Sequence, residues 1–526
     1  MSKKIKIIDL FSGPGGLGEG FSSFKNEKGE SPFQIISSIE KDGSAHKTLF
    51  LRAFFRQFEG SAPKEYYDFL KGKLGKTPEQ QLYSNPKFST EFKAASNEAH
   101  NLELGKDNEE ITARISSALG NDECVLIGGP PCQAYSLAGV ARNKNNKSYD
   151  GANDPRNFLY KEYLKVIAQF QPTIFVMENV KGMLSAKVNG ESICEVIFSD
   201  LKDPCKSIGK NPVKGRAPHR YKIFSLQLGV PEEEIKSSKD YIVCMERYGI
   251  PQKRHRVILI GVREDLAHSV TGLKLKSSES SVSVFDVLSD LPSCRSGLSK
   301  EANSDLSWIN TVKGDSVETI KALKNNSQHL VASKILDVAE NLELPINSQG
   351  SVFNLQRTGK IRKKELRDWY YDKGLGQYIT NHETRGHLAS DLQRYLFCSA
   401  WGHVSRETGS ENRTPKSKDF PQHLFPNHKN FNTGKFADRF RVQVWDLPAT
   451  TITCHISKDG HYYIHPDPSQ CRSLTVREAA RIQTFPDNYF FLGNRTQQYV
   501  QVGNAVPPLL ANKIASKVYN ILYSKI

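Results

Sequence analysis

The first half of the chain repeats one unit, a short apolar run followed by a longer segment of helical character. The runs are Ile5–Phe11, Ile35–Glu40, Val125–Gly128, Thr173–Glu178 and Val257–Val262. Such alternation predicts a parallel α/β sheet with helices on both faces. The run "PTIFVMEN" is apolar at consecutive positions, as a strand buried on both sides requires. Two stretches break the rhythm. Residues 51–120 are polar and helix-like, and residues 186–240 are rich in Lys, Ser, Gly and Pro; both are expected to be surface insertions. From about 276 to 465 the alternation is lost. Polar loops, a basic run ("RTGKIRKKELR", 357–367) and aromatic clusters there predict a separate domain. Order returns at "SLTVREAARIQTF", which has a capping Ser/Thr ahead of a helical pattern.

A chain of 526 residues has room for two or more domains with a full-sized core. With 25% charged and 38% hydrophobic residues it reads as an ordinary soluble protein. No apolar run approaches bilayer-spanning length, and the first residues turn polar too soon for a signal peptide. The net charge of +15 suits a polyanionic partner such as nucleic acid, although charge governs association rather than fold. Nine cysteines without paired spacing argue against a disulfide framework and for a reducing cytoplasm. No CxxC pair occurs. His461, His465 and Cys471 lie among turn residues, so no metal site is expected.

Directly after the first run comes "DLFSGPGGLGEGF". Gly13, Gly15 and Gly18 match G-x-G-x-x-G, and Glu40 follows about 22 residues later. Glycines let backbone N–H groups approach a ligand, and the acidic side chain can hydrogen-bond a ribose. NAD, FAD and S-adenosylmethionine fit this equally well, and a tight turn packed against a helix would look the same.

Three further pieces narrow the chemistry. Cys132, in "GGPPCQAYS", sits in a stiffened loop after an apolar run, where a thiol can be either a buried turn residue or a positioned nucleophile. Glu178 ends the buried run "FVMENV". Arg254 and Arg256, in "YGIPQKRHRVILIG", alternate just before a strand and so share one face. In a doubly wound sheet, residues at strand carboxyl ends project into the ligand crevice. The set suits attack on an electron-poor ring: a thiolate adding to cytosine C6 turns C5 into an enamine carbon, a carboxyl group at N3 stabilises the charge, and arginines can hold O2.

The segments "DLFSGPGG", "GGPPCQAYS", "DPRNFLY", "FVMENV", "YGIPQKRHR", "RSLTVREAARIQTFPD" and "VGNAVPP", in this order and spanning residues 7 to 508, resemble those of the cytosine-C5 DNA methyltransferases. The resemblance implies an α/β fold: a Rossmann-like, doubly wound sheet of the S-adenosylmethionine-dependent methyltransferases, plus a smaller, irregular target-recognition domain. It implies a catalytic domain over 1–275, target recognition over 276–465, and a hinge with a returning C-terminal segment over 466–526. By the same resemblance Cys132 is the nucleophile, Glu178 the N3 partner with Asn179 fixing the turn, and Arg254 and Arg256 the active-site arginines. Phe11, Gly13, Gly15 and Gly16 correspond to the cofactor loop, Glu40 to the ribose ligand, and Pro131, Leu159 and Asn504 to cofactor-lining positions.

One departure concerns the adenine contact, normally an Asp in Gly-Asp-Ile. Here the region reads "LGKDNEEITARIS", with Asp107 the candidate and Asn108 or Glu109 as alternatives. Residues 136–155 resemble the loop that closes over flipped DNA, with Arg142, Lys144 and Lys147 as phosphate contacts. Thr450 and Thr451 match a family Thr near the end of the target-recognition domain.

The implied setting is a bacterial cytoplasmic enzyme acting on double-stranded DNA as a monomer, either beside a separate cognate restriction endonuclease or as an orphan. The rival readings are a transfer-RNA cytosine methyltransferase, which the long 276–465 segment disfavours, and a catalytically dead DNA-binding regulator, whose signature would be loss of Cys132 or Glu178. An NAD-dependent oxidoreductase would leave Cys132, Glu178 and both arginines without a role.

Overall fold

The computed structural model describes residues 3–131, 159–188, 191–426 and 439–523. Cys132 and the 136–155 segment with Arg142, Lys144 and Lys147 lie outside the described residues.

Eight strands form the central sheet: β1 (Ile5–Leu10), β2 (Phe33–Ile39), β3 (Ala99–His100), β4 (Cys124–Gly128), β5 (Ile174–Val180), β6 (Tyr221–Ser225), β7 (Ile242–Cys244) and β8 (His255–Arg263). Their order is β3-β2-β1-β4-β5-β8-β6, with β7 also paired to β8. The first five are parallel. The strand order switches sides between β1 and β4, where open α/β sheets place their ligands. The fifth predicted run does not continue the parallel set: β8 is antiparallel to β5, β6 and β7. It enters from the hairpin with β7, and hairpins join antiparallel strands.

Alternate residues of the parallel strands serve two cores. On one face Ile7, Ile127, Val176 and Ile260 pack with Phe21 of helix α1 (Gly16–Ser23) and with Leu510, Ile514 and Val518 of a helix from the chain's end, Pro508–Tyr523. On the other face Ile8, Leu10, Leu126 and Met177 pack with helices Asn108–Leu119 and Leu159–Phe170 through Ile111, Ile115, Tyr163 and Ile167. Burying each such side chain contributes about 1.5–3 kcal/mol.

Neither expected surface insertion is superficial. Within 51–120, Tyr66, Phe69, Leu70, Leu82 and Phe88 are buried with Leu49 and Phe54 of α2 (Gly43–Arg56) and with Leu375, Phe490 and Leu492 from distant sequence. Within 186–240 lies β6, together with a helix, Ile193–Lys202, whose Ile197 and Leu201 are buried in the second core. The 276–465 region is more regular than "irregular" suggests. Helices Asp305–Asn325, His329–Glu340 and Ala389–Glu407 build a core around Trp308, Val312, Ile335, Leu396 and Phe397. A further core joins Val284, Val287 and Tyr370 to Ile482, Phe485, Tyr499 and Val502, so this region shares its interior with the tail. No helix of the described residues is long and apolar enough to cross a membrane.

The α1 glycines permit the close approach of the terminal helix. A Cβ on Gly20 would stand 2.3 Å from Ala511 Cβ and 2.5 Å from the backbone of Pro508 and Asn512. Gly20→Ala is therefore expected to destabilise by about 1–3 kcal/mol, as overpacking does, despite the better helix propensity of Ala. A denaturant midpoint equal to or above wild type would contradict this. Asp9 of β1 is fully buried, and neither carboxylate oxygen has a hydrogen-bond partner. Burial pushes its carboxyl up to about 8, against the pull of Arg56. The folded chain thus keeps a proton that the unfolded chain loses near pH 4. Its contribution to stability is complete below about pH 4 and is lost as pH rises through 8, at a slope of at most about 1.4 kcal/mol per pH unit. Asp9→Asn should flatten stability between pH 5 and 8; an unchanged slope in urea titrations across that range would refute it.

Candidate functional site

The crevice at the carboxyl ends of β1, β2, β4 and β5 gathers most of the sequence candidates. After β1 the chain turns sharply: Phe11 (φ 55°) and Gly13 (φ 57°) adopt left-handed conformations, and Gly15 (φ 99°) caps α1. The three loop glycines differ in kind. A Cβ on Gly13 would meet no heavy atom within 4 Å, so open space lies beside the backbone there. At Gly15 it would stand 2.9 Å from the Tyr489 hydroxyl, and at Gly16 2.3 Å from the Val506 carbonyl. Gly15 and Gly16 therefore serve close packing in this structure, and Gly13 is the one that leaves room. The Tyr489 hydroxyl also donates to the carbonyl of Pro14.

Glu40, just after β2, joins two loops. Its Oε2 accepts from the Gly13 N–H at 2.8 Å and its Oε1 from the Asp42 N–H at 2.7 Å. Burial raises its pKa, while those two N–H groups oppose the rise. Asp107, on the loop after β3, precedes the helix Asn108–Leu119, and its carboxylate accepts from the Glu103 N–H at 2.8 Å. The residue that directly follows β3 is Asn101, whose amide donates to the carbonyls of Glu40 (2.9 Å) and Lys41 (3.0 Å). Sequence reasoning passed over Asn101 because β3 has two residues, too few for a periodic signal. Leu159, at the start of its helix, and Pro131 are half-buried, and Asn504, the last residue of the helix Arg495–Asn504, is exposed.

The loop after β4 and the end of β5 are fastened together. Buried Asn179 donates from Nδ2 to the Pro130 carbonyl (3.3 Å), while its Oδ1 accepts from the Val180 N–H (2.8 Å). Glu178 is mostly buried and forms an ion pair with Arg256, Nε to Oε1 at 3.0 Å. Its Oε2 lies over Gly129, where an added Cβ would stand 3.3 Å away. The antiparallel course of β8 creates this meeting, since the register sets Arg256 opposite Val180 and Ile258 opposite Glu178.

Arg254 takes a different place from Arg256. Its side chain is 2% exposed, and Nη1 donates to the carbonyls of Ile452 (2.8 Å) and Gly503 (3.4 Å). Burial, then the nearby Arg256, push its pKa down to about 9. It ties the catalytic sheet to the end of the 276–465 region and to the tail. Gln252, fully buried, does likewise: its Nε2 donates to the Ile482 carbonyl and to Gln483, and its Oε1 accepts from the Ile452 N–H. Thr451 donates to the Lys253 carbonyl at 2.6 Å, and the Thr450 hydroxyl donates to Gln443. Much of the basic run serves structure. Arg357 pairs with buried Asp487 (2.9 Å) and covers the ring of Tyr371, and Lys363 pairs with Asp286 (2.9 Å). His461 contacts Tyr395, His465 lies near Glu478, and the Cys471 thiol donates to the Pro468 carbonyl; these three do not converge.

The chain as a whole is similar to proteins of one family. The family described as C-5 cytosine-specific DNA methylase matches residues 92–204 and 239–520. A type II methyltransferase of Bacillus paralicheniformis is 31% identical, covering 98% of this chain and 99% of its own. A type II methyltransferase of Thalassovita gelatinovora is 26% identical over 98% and 99%. Among solved structures, a chain described as a DNA modification methyltransferase encoded within an Escherichia coli prophage shares the fold, with a TM-score of 0.51 at 19% identity and 99% coverage of each chain. The chain belongs to the C-5 cytosine-specific DNA methylase family and is a DNA (cytosine-5-)-methyltransferase.

Proposed function

We propose that the chain methylates a cytosine flipped out of double-stranded DNA, with Cys132 as nucleophile and Glu178 as the group at N3. The carrying observation is the placement of Glu178. Arg256 holds Oε1, and Oε2 lies over Gly129 in the loop that leads into Cys132. Asn179 clamps that same loop through the Pro130 carbonyl. A cytosine lying between Cys132 and Glu178 must leave the base stack, because C6 and C5 are out of reach within a duplex.

The Cys132 thiolate forms a bond to C6, and the C5=C6 electron pair moves onto C5. Glu178 stabilises the charge that develops at N3, an acid's assistance to nucleophilic attack. C5 takes the methyl group, then loses its proton as the Cys132 sulfur leaves with its electron pair, and the ring double bond is restored. Glu178 acts in its acid form, sharing its proton with N3 on addition and taking it back on elimination, while Arg256 keeps the carboxyl group oriented.

The crevice fits S-adenosylmethionine. The open space beside Gly13 admits a ligand against the backbone, and a carboxylate has about four acceptor sites, so Glu40 can receive a ribose hydroxyl beyond its two N–H bonds. Phe11, Gly13, Gly15, Gly16 and Glu40 would hold it from one side and Pro131, Leu159 and Asn504 would line the other, with Asp107 now outside that set and Asn101 in its stead. When bound, it supplies the methyl group. Residues 276–465 read the DNA sequence, residues 1–275 carry the chemistry, and residues 466–526 return to the sheet. Relatives named type II methyltransferases support a role in DNA modification, which we place in a bacterial cytoplasm and assign to a monomer, either beside a separate cognate endonuclease or as an orphan.

Bisulfite sequencing of a plasmid from cells expressing the chain should reveal one methylated sequence context, absent with Cys132→Ser. Methylation that persists in that variant would remove Cys132 from the nucleophile's role. Glu178→Gln should slow methyl transfer by about 10²–10⁴-fold in single-turnover assays while leaving S-adenosylmethionine binding in place. A rate within a factor of about three of wild type would sink the N3 assignment.

A further inference from the structure

The hairpin that leads into Arg254 and Arg256 carries three side chains of metal-ligating type. Cys244 ends β7 and His255 opens β8, and the two are directly opposed in the antiparallel register. Opposed residues have Cβ atoms about 4.5–5.5 Å apart on one face of the pair. Glu246 follows in the short helical turn Met245–Tyr248, and its Oε1 lies 2.8 Å from His255 Nε2. The Cys244 sulfur, a Glu246 oxygen and a His255 ring nitrogen all lie within 4.8 Å of one another, and each residue is half-buried. The second Glu246 oxygen, Oε2, is buried and has no hydrogen-bond partner among the described residues.

We infer that Cys244, Glu246 and His255 form a zinc site. One thiolate, one imidazole and one carboxylate make a ligand set that Zn²⁺ accepts, whereas Mg²⁺ and Ca²⁺ prefer oxygen ligands. Zinc–ligand bonds of about 2.0–2.3 Å at tetrahedral angles need ligand atoms about 3.5 Å apart, so side-chain rotation closes the set without moving the strands. The half-exposed position leaves the fourth coordination place to water. The pattern C-x-E-x₈-H resembles no paired-cysteine motif, which is why the sequence gives no hint of it.

The site's position assigns its effect. His255 stands between Arg254 and Arg256, and strand alternation turns its side chain away from theirs. The metal would cross-link the two ends of the hairpin on the side opposite Glu178. The Met245 N–H already donates to the Arg254 carbonyl at 3.1 Å, so the clip would reinforce a closed loop that fixes where β8 begins. A cross-link of this kind stabilises by restricting the unfolded loop.

Titration of the metal-free, full-length chain with Co²⁺ tests this through the near-ultraviolet thiolate-to-cobalt charge-transfer band. The band should saturate at one equivalent in wild type and in Cys132→Ser, and should vanish in Cys244→Ser. Zn²⁺ should raise the thermal midpoint of wild type and leave that of Glu246→Gln unmoved, with both proteins showing the same far-ultraviolet dichroism. A wild-type chain without the band, a band that survives Cys244→Ser, or an equal Zn²⁺ shift in Glu246→Gln would each overturn the site.

Discussion

The reversed strand β8 is the constraint on which the active site depends. In a wholly parallel sheet the start of the sixth strand would lie at the edge opposite the crevice, a strand's length from Glu178. Running antiparallel, β8 brings its first residues to the end of β5, and Arg256 reaches Glu178 at 3.0 Å. The same reversal carries Arg254 to the carbonyls of Ile452 and Gly503, where one guanidinium bonds the sheet to two distant parts of the chain. The Arg256–Glu178 pairing and the seating of the 276–465 region thus share a single short hairpin.

That seating is ionic as much as apolar. Arg481, wholly buried, meets Asp290 from the 276–465 region and Asp487 from the tail, and Arg357 adds a second cation to Asp487. Arg472 forms a bidentate pair with Glu478, at 2.7 Å for each bond, and His382 bonds the neighbouring Thr475. Arg472 and the nearby His465 hold the Glu478 carboxyl far below the ordinary range. Buried charges of this kind contribute little net stability compared with apolar residues, yet losing one partner is costly. Such a network tolerates one arrangement of its parts, and so fixes how the 276–465 region and the tail meet.

The parts legible in the sequence were those written locally. Strands buried on both faces announce themselves by apolar runs, and the glycine loop after β1 by its spacing. Strand direction has no such signature: "RVILIG" reads the same in either sense, so the reversal of β8 was not visible. The polar segments 51–120 and 186–240 looked superficial because their buried residues, Tyr66, Phe69, Phe88 and Ile197, are scattered among many lysines. Asp107 drew attention as an acidic residue, but it directly precedes a helix, and the strand end belongs to Asn101. The role of Arg357 within a basic run could not be read either, because its partner Asp487 is 130 residues away.

The helix Pro508–Tyr523 covers the face of the sheet that α1 begins to cover, with Ala511 against Gly20. As the ribosome releases the chain, β1, β4 and β5 emerge with that face bare, and it stays bare until the final turns of helix appear. The floor of the crevice at Gly16 is likewise closed by the backbone of Val506, so both the sheet's covering layer and the crevice floor are made by residues remote from β1 in sequence, and a local disturbance of this helix would be felt at the glycine loop.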